Sequence, residues 1–122
     1  MINSFICTNV FSNNASGLIE FYKNILGIPV VNVIVDNADG VNFGFHENAP
    51  TICIWDACKW GSPVNGRSSF VFSSNNLDAI FEELKIKGLD IEPPVRYAWG
   101  TYELRLKDPD GNEVVIVESQ SY

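Results

Sequence analysis

The chain is poor in catalytic side chains and rich in aromatic ones. Its single histidine, His46, sits in the turn-rich stretch "HENAP". A Ser-His-acid or Cys-His arrangement needs an imidazole held beside its nucleophile, and an exposed turn gives it little support. Cys7, Cys53 and Cys58 make an odd count with no scaffold or zinc-type spacing, so they read as reduced thiols of a cytoplasmic protein. Glu103 and Glu113 fall on segments expected to be hairpin neighbours. They read either as a carboxylate pair for acid–base work or as two solvated sheet residues. The stretch "GSPVNGRSS" has glycines but does not open a helix in the way a phosphate cradle requires. Three tryptophans and four tyrosines offer a different chemistry. Trp99, in "YAWG" with Tyr97 two residues before it, supplies faces on which a planar ligand could stack, and nearby acidic groups would favour positive charge on that ligand. The competing role for these aromatics is to fill a core or a dimer interface.

Bulk composition narrows the partners. A formal charge of −7 with no stripe of Lys and Arg repels phosphate backbones, which excludes nucleic acid as a natural ligand. No apolar run approaches the roughly 18 residues that cross a bilayer, so no membrane partner is expected. The first residues lack a basic segment followed by a long apolar one, and no cleaved secretory signal is expected. Apolar residues at 46% and charged ones at 19% describe one ordinary globular domain over 1–122.

The elements that would position these side chains come in two sets. "VFSNN" at 10–14 is echoed by "VFSSNN" at 71–76, and each echo precedes an apolar pattern of helical period. The spacing predicts helices over 15–26 and 77–87, each opened by an Asn pair able to cap free N–H groups and each closed by a glycine, Gly27 or Gly88. Strands are expected before the helices at 4–11 and 68–72. After the first helix they are expected at 30–35, 41–45 and 51–55, and after the second at 91–95, 101–107 and 113–117. Pro93 and Pro94 confine 91–95 to an edge, and "DPDGN" at 108–112 is the turn of the last hairpin. The repeat offsets agree: Val10 to Val71 and Gly27 to Gly88 are 61 apart, Asn14 to Asn76 and Ile54 to Ile116 are 62 apart. The prediction is an α+β fold of duplicated βαβββ units, unit one 1–56 and unit two 67–122, with a linker at 57–66. Curved mixed sheets would enclose a cleft, with the helices on the outer face.

At this point the residues resemble a known family. "GLIEFYKNILGIPV" is similar to the helix and strand that open proteins of the glyoxalase, bleomycin-resistance and extradiol dioxygenase superfamily, and "WGTYELRLKDPDGNEVVIVE" is similar to its closing hairpin. The resemblance covers nearly the whole chain. Its enzymes hold a divalent metal at the cleft through His or Glu at the first and fourth strands of the units. Carried over, those positions fall on Cys7, Cys53, Ser69 and Val115. None is His or a carboxylate, and Val115 ligates nothing, so no metal cofactor is expected. Cys7 and Cys53 would hold a soft ion, act as a redox pair, or serve as small buried fillers.

"WG" ahead of "DPDGN" is closest in pattern to bleomycin-resistance-type proteins, which sequester a cationic, aromatic-tailed drug without metal or catalysis. The resemblance therefore implies a metal-free protein that captures a small planar or cationic organic ligand. Its cleft is expected to be lined by Cys7, Cys53, Trp55, Ser69, Trp99, Tyr102, Glu113 and Val115. Trp55 joins this set because it shares strand parity with Cys53. The alternative is a metal-dependent lyase, dioxygenase or thiol transferase with atypical ligands, and a third reading is a structural dimer with a filled cleft. A homodimer is expected, as is common in the superfamily.

Overall fold

A computed structural model describes residues 1, 6–31, 40–46, 49–60 and 68–119. The chain divides into two compact units, Met1–Asn65 and Gly66–Tyr122. The first contains β1 (Cys7–Ser12), α1 (Ala15–Glu20) continuing as a π-helical turn (Phe21–Ile25), β2 (Val41–Phe43), β3 (Thr51–Asp56) and the short α2 (Ala57–Trp60). The second contains β4 (Ser69–Ser73), α3 (Leu77–Ile86), β5 (Val95–Arg96), β6 (Thr101–Lys107) and β7 (Glu113–Ser119). The fold is α+β with two mixed sheets, ordered β1-β3-β2 and β4-β7-β6-β5.

The same sheet logic operates in both units. β1 runs parallel to β3 with Cys7 opposite Thr51, and β4 runs parallel to β7 with Ser69 opposite Glu113. Alternation then sends one set of side chains toward the helix and the other set to the opposite face. In unit one the helix side gathers Val10, Leu18, Phe21, Tyr22, Phe43 and Ile54, all buried. Tyr22 meets Phe43 at 6.2 Å between ring centroids, closing helix onto sheet. In unit two Leu77 and Leu84 of α3 are buried, as are Leu104, Leu106, Val114 and Ile116 of the sheet. Each such aliphatic side chain removed from water contributes about 1.5–3 kcal/mol.

The Ser and Asn residues of the echo have one local role in both units. Ser12 Oγ accepts from Asn14 N–H and Ser74 Oγ from Asn76 N–H, while Asn14 and Asn76 cap Gly17 N–H and Ala79 N–H. The "DPDGN" turn is tied internally by Asp108, whose carboxylate accepts from Asn112 N–H at 2.8 Å and Asp110 N–H at 3.0 Å. Asn112 then accepts from Ser68 N–H at 2.9 Å, pinning the entry of β4 to the hairpin.

Several boundaries differ from the sequence expectation. Residues 57–60, read as linker, form α2, with Asp56 accepting from Cys58 N–H at its start; the rest of that linker lies outside the described residues. The strand expected at 91–95 contracts to Val95–Arg96, because two consecutive prolines remove the N–H donors a ladder needs. Of the strand expected at 30–35, Val30 bridges Phe43, and 32–35 lie outside the described residues. β2 stops at Phe43 rather than at residue 45, although Gly44 N–H still donates to Pro29 C=O beside the Val30–Phe43 bridge.

Candidate ligand-binding site

The face of the second sheet that turns away from α3 carries a continuous polar and aromatic network. Its organiser is the turn joining β5 to β6. Tyr97 N–H donates to Thr101 C=O at 2.8 Å and Gly100 N–H to Tyr97 C=O at 3.0 Å. Gly100 sits at φ +101°, a backbone angle that only glycine adopts without strain. Trp99 is thereby held at the tip, 68% exposed, with its indole stacked on Tyr97 at 4.4 Å and an interplanar angle of 9°.

Beneath this pair lies Glu103, a buried carboxylate. Its Oε2 accepts from Thr101 Oγ1 at 2.6 Å and from Trp99 Nε1 at 3.3 Å, and its Oε1 accepts from Arg105 Nη2 at 2.9 Å. The Thr101 hydroxyl, then the Trp99 and Arg105 donors, hold its carboxyl below the ordinary carboxylate range against the opposing pull of burial. The Arg105 guanidinium, pushed up chiefly by Glu103, continues the network to Glu113 at 3.5 Å and lies 5.7 Å from the Tyr97 ring. Ser69 Oγ completes it, donating to Glu113 Oε1 at 2.8 Å.

β6–β7 pairing decides how Glu103 and Glu113 relate. Glu103 stands opposite Val117 and Glu113 opposite Lys107, with Arg105 between them opposite Val115. They are therefore not directly opposed and share the Arg105 guanidinium. Glu103 is not the solvated sheet residue that one of the two sequence readings made it. Ser69, Glu113, Val115 and Trp99 do come to this side of the second unit. Tyr102 does not. Its parity places it on the α3 side, where its hydroxyl donates to Asp78 at 2.6 Å under the Arg96 guanidinium. Asp78 first, then burial, pushes that phenol up.

Unit one has its own cluster on the sheet face opposite α1. Trp55 Nε1 donates to Asn9 Oδ1 at 2.9 Å, and Cys7 Sγ approaches the same oxygen at 3.7 Å. Cys53, 1% exposed, lies in the same row as Asn9 and Asn42. Burial, then the neighbouring Cys7, pushes its thiol up to about 11. Gly40 packs so close that an added Cβ would come within 2.8 Å of the Trp55 ring and 2.9 Å of Cys53 Sγ.

The sequence analysis missed Thr101, Arg105, Asn9 and Gly40. Thr101, Glu103 and Arg105 share one parity, alternating with Tyr102, Leu104 and Leu106. That pattern was the available signal for a polar row on one face.

The profile of the glyoxalase/bleomycin resistance protein/dioxygenase superfamily matches residues 4–116. The chain belongs to this superfamily. Its fold is similar to that of a lactoylglutathione lyase from Agrobacterium tumefaciens (17% identity, TM-score 0.72, 97% of this chain and 95% of that one). It is also similar to TnmS3, an antibiotic binding protein from Streptomyces sp. CB03234 (17% identity, TM-score 0.76, 98% of each chain). A virulence protein from Salmonella typhimurium aligns with a TM-score of 0.75 at 22% identity over 98% of this chain and 99% of that one. No match was found among curated proteins.

Of the four positions that the resemblance carries over, Cys7 is a half-exposed thiol, Cys53 a buried one, Ser69 is exposed and Val115 buried. Among the described residues no three of His, Cys, Asp and Glu gather as a metal-holding group.

Proposed function

We propose that this superfamily member is a metal-free binding protein for a small planar organic ligand, cationic ligands being preferred. The observation that carries the proposal is the Tyr97–Trp99 stack, a flat, exposed aromatic face bordered by carboxylates. A planar ligand laid on Trp99 gains contact area and stacking at small conformational cost, because the indole is already held. On this face Glu103 and Glu113 are balanced by Arg105 and by Lys107 opposite Glu113, so the preference for a cation comes from the Tyr97–Trp99 rings themselves. The chain's overall charge of −7 acts in the same direction.

The donor set does not fit the divalent cation of the superfamily's enzymes. Val115 has no donor atom, the Ser69 hydroxyl is a weak neutral ligand, and neither Cys7 nor Cys53 supplies the imidazole or carboxylate that such cations take. We derive no metal-dependent step for it. The antibiotic-binding relative lends the binding reading further support, and a resistance role by sequestration is its natural extension.

Calorimetric titration with proflavine, a planar aromatic cation, tests the proposal. Saturable binding that Trp99→Ala weakens roughly tenfold or more is the expected result. Saturable binding indifferent to Trp99→Ala, or no binding by any planar cation, would sink it.

A further inference from the structure

Trp99 has few means of staying where it is. Ala98, Trp99 and Gly100 are all exposed at the tip of the turn, so the surrounding backbone offers the indole no enclosing wall. Two contacts hold it: the Tyr97 ring and the Glu103 carboxylate. That carboxylate is unusual in being both buried and shared. One of its oxygens takes the Thr101 hydroxyl and the Trp99 indole together, and the other takes Arg105. A buried carboxylate is tolerated when its lone pairs are filled, and here the filling donors also fix its rotamer.

We propose that Glu103 is a positioning residue for the planar-ligand site: fixed by Thr101 and Arg105, it locks the Trp99 indole flat on Tyr97 before a ligand arrives. The inference rests on reading Trp99 as the ligand's stacking partner. Glu103 is not the attracting charge, because Arg105 at 2.9 Å neutralises it. Its contribution is pre-organisation, which acts on charged and uncharged planar ligands alike. An electrostatic role would act on the cation alone.

The test uses the full chain with Trp55→Phe and Trp60→Phe, which leaves Trp99 as the only tryptophan. Glu103→Gln keeps the shape and loses the charge-assisted bond to Arg105. Thr101→Val removes the shortest bond yet leaves Glu103 paired with Arg105, so it decides the matter should Glu103→Gln fail to fold. In the unliganded protein, either folded variant should lose most of the near-ultraviolet circular dichroism of Trp99, and Thr101→Ser should restore it. Affinities for proflavine and for the uncharged acridone should fall by the same factor, roughly tenfold, since each depends on the same stacking surface. Unchanged dichroism in both variants would overturn the inference, as would a loss confined to proflavine. Collapse of the dichroism in a protein that binds neither probe would uphold the positioning role and refute the ligand class instead.

Discussion

Cys53 illustrates how a reactive residue type is made inert by its place. The side chain is 1% exposed, Gly40 closes over its sulfur, and burial together with Cys7 takes the thiol from its ordinary 9.0 to about 11. Iodoacetamide at pH 8 should modify exposed Cys58 first and half-exposed Cys7 next, with Cys53 reacting only on unfolding. Mass mapping would settle the order, and Cys53 labelling at the rate of Cys58 would contradict it. The same shift carries a sign for stability. The folded state holds the Cys53 proton more tightly than the unfolded state does, so this contribution is whole below pH 9.0 and is lost as pH rises toward about 11. Denaturation midpoints should fall across that window in the parent, and by less in Cys53→Ala. The filler reading of Cys53 was available from the usual burial of free cysteine. The shielding by Gly40 was not, because residues 40 and 53 meet only when the sheet forms.

At the scale of elements, the duplication resolves into a register. Pairing of Cys7 with Thr51 and of Ser69 with Glu113 makes the units equivalent at an offset of 62, and the capping pairs Ser12/Ser74 and Asn14/Asn76 keep it. The Val-Phe echo at offset 61 is therefore out of step. Val10 corresponds to Phe72 and Phe11 to Ser73, so the repeated letters face opposite sides of their sheets. Gly27 and Gly88, also 61 apart, have a different cause. The first helix carries one residue more than the second between cap and glycine, and the π-helical turn Phe21–Ile25, with Leu26 N–H on Phe21 C=O at 2.9 Å, absorbs it. Deleting exposed Lys23 should convert the wide turn to ordinary α-helix while the residues on either side keep their places. Stability should stay within about 1 kcal/mol of the parent, as for other surface changes that leave the core alone. A loss of several kcal/mol in chemical denaturation would show that the turn has a packing role of its own.

For the molecule as a whole, the proposal of metal-free binding within this superfamily is tested by metal content. Elemental analysis of protein purified under reducing conditions without chelator, repeated after exposure to zinc, nickel, manganese and ferrous ions, should find metal far below one per chain. Stoichiometric metal released by Cys7→Ala or Cys53→Ala would make the thiols ligands and favour an enzyme. Charge belongs to this scale too. At −7 the chain is suited to cationic ligands, and the exposed Trp99 ring gives that tendency a place to act.

The sequence by itself determined the α+β class, both helices, the hairpin turn and the superfamily. These depend on periodicity, capping residues and glycines, which act within a few residues of where they stand. Trp99 as an aromatic just ahead of the closing hairpin was legible for the same reason. Only the tertiary structure decided that Tyr102 serves α3 through Asp78, that Arg105 separates two carboxylates, and that Glu103 is buried under Trp99. Strand parity places a residue on a face. Which donors converge on a buried carboxylate depends on pairing between strands and on the path of a turn, and those are fixed only when the sheet closes its ladder.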